Sequence, residues 1–171
     1  MNKITLSAIA AVGAMALPVA AHAQSEDPQV ETYVGATAGI HDLGIGLPDD
    51  DGGIYGVVAG VDVPVGKTFF VGAEGNYNIG DGAIDSEYGI AARAGVRVGE
   101  TAKVYVRGGY QEVNFDLGHF GVTGIDDTDG DYLVGAGVEF GLGDSPVAFR
   151  AGVDTIAFDS TRATVGVLYK F

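Results

Sequence analysis

The sequence predicts an all-β fold: eight antiparallel strands in up-and-down order, closed into a transmembrane barrel. Three observations carry that reading. Segments of about ten residues alternate apolar and polar side chains with period two, and no stretch sustains helical spacing. Short turns and larger loops alternate between those segments, as strands threading back and forth across a bilayer require. The last segment, ATVGVLYKF, carries Ala163, Val165, Val167, Tyr169 and Phe171 on one face.

The elements follow in chain order. Asn2-Lys3, an apolar stretch over 4–17, Pro18 and Ala21-His22-Ala23 make the charged start, apolar middle and small-residue cleavage site of a secretory signal peptide. Pro18 interrupts the run before it reaches the ~20 apolar residues of a membrane helix. The expectation is a cleaved segment, 1–23, followed by one barrel domain, 24–171. Strands are expected at 30–40, 54–63, 69–79, 87–98, 103–113, 131–141, 147–157 and 161–171. Each is near the ~9–11 residues that a tilted strand needs to cross a bilayer. Short turns fall at 64–68, 99–102 and 142–146. The opposite end has loops at 41–53, 80–86, 114–130 and 158–160. With a periplasmic N-terminus, an even strand number returns the C-terminus to the periplasm.

Composition narrows the function. A formal charge of −14 disfavours nucleic acid as a partner, because phosphate backbones call for Lys and Arg. With no cysteine, neither a disulfide framework nor a thiolate metal site can form. The 29 glycines lack the three-residue period of collagen, and an apolar fraction of 47% is ordinary for a folded chain.

Sorting each strand by parity gives two unlike faces. One face carries, for example, Tyr55, Val57, Ala59, Val61 and Val63, or Tyr88, Ile90, Ala92, Ala94, Val96 and Val98. The other holds Glu31, Asp62, Glu74, Glu87, Arg93, Arg97, Arg107, Glu139, Arg150, Asp154, Arg162 and Lys170. Lys67 and Lys103 read as turn residues. A soluble lipocalin-like barrel would turn its apolar face inward, whereas a membrane barrel turns it outward. Glycines 35, 39, 56, 60, 72, 89, 95, 109, 135, 137, 152 and 166 share the charged face, while the apolar face has only Gly75 and Gly108. Small residues between long charged ones suit a crowded interior. Outward aromatics fall at strand ends: Tyr55, Tyr77, Tyr88, Tyr110 and Tyr132 at the loop end, and Phe69, Phe140, Phe149, Tyr169 and Phe171 at the turn end. Two aromatic girdles bounding an aliphatic band suit a lipid-facing surface.

The ending Val165, Val167, Tyr169, Phe171 resembles the C-terminal strand of bacterial outer-membrane barrels, which the barrel-assembly machinery recognises. Together with the signal segment and the eight-strand count, the chain resembles the small OmpA/OmpX-type outer-membrane β-barrel family, which includes porin-family and opacity-type barrels. The resemblance implies the outer membrane of a Gram-negative bacterium, with that membrane's lipids and glycolipids as surroundings. It adds adhesion as a role, names no surface partner, and does not imply tethering to the cell wall.

An eight-stranded barrel is just wide enough to be filled by its own side chains. The inward charges therefore read as a paired structural plug, with a narrow porin-like channel for ions or small solutes as the alternative. The outer loops carry Asp42, Asp49, Asp50, Asp51, Asp81, Asp85, Asp116, Asp126, Asp127, Asp129 and Asp159, and no Lys or Arg. Such a rim solvates the protein. Asp49, Asp50 and Asp51, and Asp127, Asp129 and Asp131, are also candidate ligands for calcium or magnesium, hard cations that favour carboxylate oxygen. The second group only partly matches an EF-hand loop, since Ala136 stands where the bidentate Glu would fall.

Some barrels of this size modify lipid A with a His, a Ser and an acidic partner near the outer rim. His41, His119, Ser86 and Ser160 are read here as outer-end loop residues with no pairing along a strand, so no catalytic residue is assigned. The expected role is non-enzymatic: envelope integrity and surface interaction through the acidic loops. A lipid A-modifying enzyme is the further alternative.

Overall fold

In the computed structural model of the chain, residues 29–42, 51–81, 84–115 and 128–171 are described. The signal segment, His119, Asp49, Asp50, Asp116, Asp126 and Asp127 lie outside them. The strands are β1 (Glu31–Asp42), β2 (Asp51–Val65), β3 (Phe69–Gly80), β4 (Ile84–Val98), β5 (Ala102–Phe115), β6 (Thr128–Gly141), β7 (Val147–Ile156) and β8 (Ser160–Lys170). Every neighbouring pair is antiparallel, and β8 closes on β1 to complete the barrel.

Several strands overrun their expected outer ends. β1 continues to Asp42, β2 begins at Asp51, β4 at Ile84 and β6 at Thr128, and β5 runs to Phe115. Alternating polarity marks only the part of a strand that lies between lipid and lumen. The backbone ladder needs no apolar side chains and continues above it, pairing Asp42 with Asp51 and Asn114 with Thr128.

The wall is consequently uneven at the outer end. β7 and β8, the shortest strands, are joined by a tight turn at 157–159. Three turns at the opposite end place a glycine in the left-handed region: Gly66 (φ 68), Gly99 (φ 65) and Gly143 (φ 58). The β7–β8 turn has no glycine and instead places Ala157 (φ 54) and Phe158 (φ 64) there. Such residues cost roughly 1–2 kcal/mol each.

The core is the lumen, and it divides into apolar and charged regions. Tyr33, Val58, Ala148 and Leu168 cluster on the β7–β8–β1–β2 arc. Ile54, Ile84 and Val113 form a second cluster at the outer ends of β2, β4 and β5. The large rings fit because glycines face them. A methyl group on Gly60 would lie 2.3 Å from the Tyr33 hydroxyl, and one on Gly137 2.4 Å from that of Tyr105. The exterior carries the opposite pattern, with exposed Val57, Val71, Ile90, Val106, Val134, Val153 and Val165 across its middle. The apolar face is outside and the charges are within.

Candidate functional site

Alternation along each strand sends the charged parity inward, where ion pairs join into one ladder running the length of the lumen. At the periplasmic end Glu31 accepts from Arg97 (3.3 Å) and Lys103 (2.9 Å) and forms an ion pair with Lys170 (3.3 Å). Lys103 also reaches Asp62 at 2.9 Å, and Asp62 faces Arg93 Nε at 3.2 Å. Arg93 then donates to Glu139 (2.6 Å) and Glu74 (3.2 Å).

Glu74 is the hub. It accepts from Arg93, Arg107 and Arg150, and from the Tyr33 hydroxyl at 2.8 Å. From Arg107 the ladder passes to Asp154, then to Arg162, whose Nη1 lies 2.5 Å from Glu87. Asn78 and His41 complete the shell of Glu87 at 2.9 and 2.8 Å. Rings stack between these charges, with the Arg93 guanidinium 4.0 Å from the Tyr105 centroid and 5.3 Å from those of Tyr33 and Phe70.

All twelve charged residues assigned to the lumen by parity line it. Four residues read from the sequence as turn or loop residues require correction. Lys103 is not a turn residue: β5 begins at Ala102, which puts position 103 on the inward parity with Tyr105 and Arg107, and Lys103 is 5% exposed. His41 is not in an outer loop. β1 extends past residue 40, pairing His41 with Gly52 and Arg162, and parity turns its ring fully inward. Ser160 likewise opens β8 and is buried, while Ser86 lies in β4 and accepts from Asn114 at 3.1 Å. Tyr33, Phe70, Asn78, Tyr105 and Gln111 also face inward, although the charge pattern does not single them out. Parity with Glu31, Glu74 and Arg107 would have found them.

These corrections bring a Ser, a His and a Glu together. His41 Nδ1 faces Glu87 Oε2 at 2.8 Å, and Nε2 faces Ser160 Oγ at 3.3 Å. The order is that of a nucleophile, base and orienting carboxylate. Other partners compete for the two outer members. The Ser160 hydroxyl also reaches the Ile156 carbonyl at 3.2 Å, and Glu87 is shared by Arg162 and Asn78. Ser160, His41 and Glu87 are all buried within the barrel.

Outside, Tyr55, Tyr77, Tyr110 and Tyr132 are exposed near the outer end, and Tyr110 packs edge-on against Tyr132 with centroids 6.4 Å apart. Tyr88 is half-buried and donates its hydroxyl to Glu112. Phe69, Phe140, Phe149, Tyr169 and Phe171 are exposed at the periplasmic end, the last two in edge contact at 5.1 Å. Val165 and Val167 share that exterior face. Of the candidate metal ligands, Asp131 is half-buried and accepts from its neighbour Tyr132 N at 2.6 Å. Asp51 and Asp129 are described as backbone only, and the described residues contain no group of three or more metal-binding side chains.

A model of the family described as outer membrane protein beta-barrel domain matches residues 7–171. Among curated proteins none matches the sequence significantly. Solved structures share the fold at low identity. The N-terminal β-barrel domain of Pseudomonas aeruginosa OprF superposes with a TM-score of 0.58 at 14% identity, covering 84% of this chain and 98% of that one. Ail, the attachment invasion locus protein of Yersinia pestis, gives 0.56 at 16% identity over 83% and 97%. Neisserial surface protein A gives 0.55 at 15% identity over 86% and 100%.

Proposed function

Because this chain belongs to the outer membrane protein beta-barrel domain family, we propose that it serves the outer membrane without catalysis, supporting envelope integrity and making surface contacts through its acidic outer loops. The carrying observation is the filled lumen. The charges are tied to one another, and Ile54, Ile84 and Val113 pack across strands at the outer end. The chemistry left for recognition is at the rim. Deleting the protein is expected to raise sensitivity to detergents and hydrophobic antibiotics. Unchanged sensitivity would remove the envelope role.

The charge distribution indicates what kind of surface the rim suits. Seven of the chain's nine Lys and Arg residues (Arg93, Arg97, Lys103, Arg107, Arg150, Arg162 and Lys170) are inside the barrel. The other two are Lys3 and Lys67. Ail has been solved in complex with the heparin analogue sucrose octasulfate. A rim without cations does not favour such a polyanion. It suits basic partners, or anionic glycolipids bridged by divalent ions at Asp49, Asp50, Asp51, Asp127, Asp129 and Asp131. Calorimetry of the folded barrel is expected to detect millimolar-range calcium binding that weakens in an Asp127→Asn/Asp129→Asn variant. An absence of binding heat removes the bridge.

The narrow-channel reading makes a different prediction. A ladder of buried ion pairs bars an ion that cannot replace its partners. Purified protein in planar bilayers is therefore expected to give no reproducible conductance steps, and discrete, sizeable steps would establish the channel instead. The row formed by Ser160, His41 and Glu87 is the one observation favouring an enzyme. Its burial and competing partners support a structural role, so lipid A from the deletion strain is expected to have unchanged masses.

A further inference from the structure

We infer that Phe158 is a lipid anchor: the tip of the β7–β8 hairpin sits in the headgroup–acyl boundary of the outer leaflet, where its ring fills a gap in the outer aromatic girdle. Three observations converge on this residue.

The first is exposure without cover. Phe158 is 76% exposed, more than any other large apolar side chain among the described residues. In water this would leave a whole ring solvated. At the level of lipid headgroups, an aromatic ring is favourably placed.

The second is level. Ala157 N donates to the Tyr132 carbonyl at 3.0 Å, Leu133 stands opposite Ile156, and Tyr132 stands opposite Tyr110. The turn therefore rises only a residue or two above the Tyr110–Tyr132 pair. Around the barrel from that pair, the outward positions near the outer ends of β7, β8 and β1 are Thr155, Thr161, Ala163, Ala38 and Ile40. None is aromatic. Tyr132 bounds this arc on one side and Tyr55, opposite Ala38, on the other; between them Phe158 is the aromatic side chain at this level among the described residues.

The third is backbone cost. Asp159 N reaches the Ile156 carbonyl at 3.3 Å around Ala157 and Phe158, both with positive φ. Two consecutive residues of this three-residue loop thus occupy the left-handed region that turns normally fill with Gly, Asn or Asp. Elsewhere among the described residues, a left-handed requirement is met with Gly66, Gly99 and Gly143. Here it keeps a bulky ring at a strained position, which fits a ring with a task outside the protein. Asp159, next in sequence and exposed, is placed to reach the aqueous side of the headgroups.

The chain contains neither Trp nor Cys, so a single substitution gives a unique reporter. Phe158→Trp protein would be reconstituted in phospholipid vesicles containing acyl chains brominated at defined depths. The expected result is blue-shifted emission, strongest quenching by the bromines nearest the headgroup, and several-fold protection from aqueous iodide relative to the urea-unfolded protein. Full iodide quenching without a bromolipid effect would put the ring in water and overturn the inference. Protection from both quenchers would put it over the barrel mouth and overturn it equally. If the Trp variant fails to insert, spin-labelled Phe158→Cys offers the same test. The anchor then predicts greater collision with oxygen than with a water-soluble nickel chelate, and the reverse ordering rejects it.

Discussion

Glu74→Ala is expected to destabilise the barrel by about 3–5 kcal/mol, the usual penalty for removing one partner from a buried charge cluster. Glu74 accepts from Arg93, Arg107, Arg150 and the Tyr33 hydroxyl, and its side chain is almost wholly buried. Its loss leaves the buried guanidinium groups of Arg93, Arg107 and Arg150 without the carboxylate they share. Neither Asp154 nor Glu139 can compensate fully, because each is already engaged by other cations. Glu74→Gln keeps the volume and one acceptor and is expected to cost less. Glu31→Ala, at the open periplasmic end, is expected to cost no more than about 1 kcal/mol, as a partly solvated pair does. Urea unfolding in lipid vesicles, followed by circular dichroism and by heat-modifiable gel mobility, provides the ranking. Equal midpoints for the Glu74 and Glu31 variants would contradict the hub assignment.

The second large effect separates the two faces through glycine. Gly39→Ala would place a methyl group 2.0 Å from the Ala163 carbonyl oxygen and 2.9 Å from Thr164 Cα. Gly109→Ala would place one 2.0 Å from the Ile90 oxygen and 2.6 Å from Ala91 Cα. These obstacles are backbone atoms of the adjacent strand, so relief requires the barrel wall to move. The cost is expected to reach or exceed the ~1–3 kcal/mol of ordinary overpacking. The same change on the other face meets only ordinary van der Waals contact, since the nearest atoms to a methyl group on Gly75 and Gly108 would be 3.6 and 3.7 Å away. There alanine restricts the unfolded chain and is expected to be neutral or stabilising, by up to about 1 kcal/mol. Refolding yields and unfolding midpoints of the four variants check the sign. Destabilisation at Gly75 and Gly108 comparable to that at Gly39 and Gly109 would count against the observed orientation.

Strand number, order and facing were legible in the sequence because they rest on parity, and parity persists over a whole strand. Arg93 and Arg97 could be sent inward by inspection, since their alternate neighbours Ala92, Ala94 and Val96 require lipid. Strand ends were harder to read. Above the apolar band nothing in the side chains reports whether the backbone remains paired, so His41 and Ser160 looked like loop residues when the ladder still held them. Lys103 misled for a related reason: as the first residue of its expected strand, beside a short turn, it read as a turn residue although its parity with Arg107 already pointed it into the lumen. Which cation meets which carboxylate was not legible at all. Those pairings depend on the stagger of strands around the closed barrel, and a linear pattern does not carry that information.

The ladder has a bearing on how the barrel is put together. Its rungs join strands that are remote along the chain: Lys170 of β8 meets Glu31 of β1 and Glu139 of β6, Arg162 of β8 meets Glu87 of β4, and Arg93 of β4 meets Glu139 of β6. A half-built sheet lying in the bilayer would hold bare ions beside hydrocarbon, so partial structures are penalised until the final seam zips shut. Insertion should therefore behave as a single concerted event, with no long-lived fragment on either side of it.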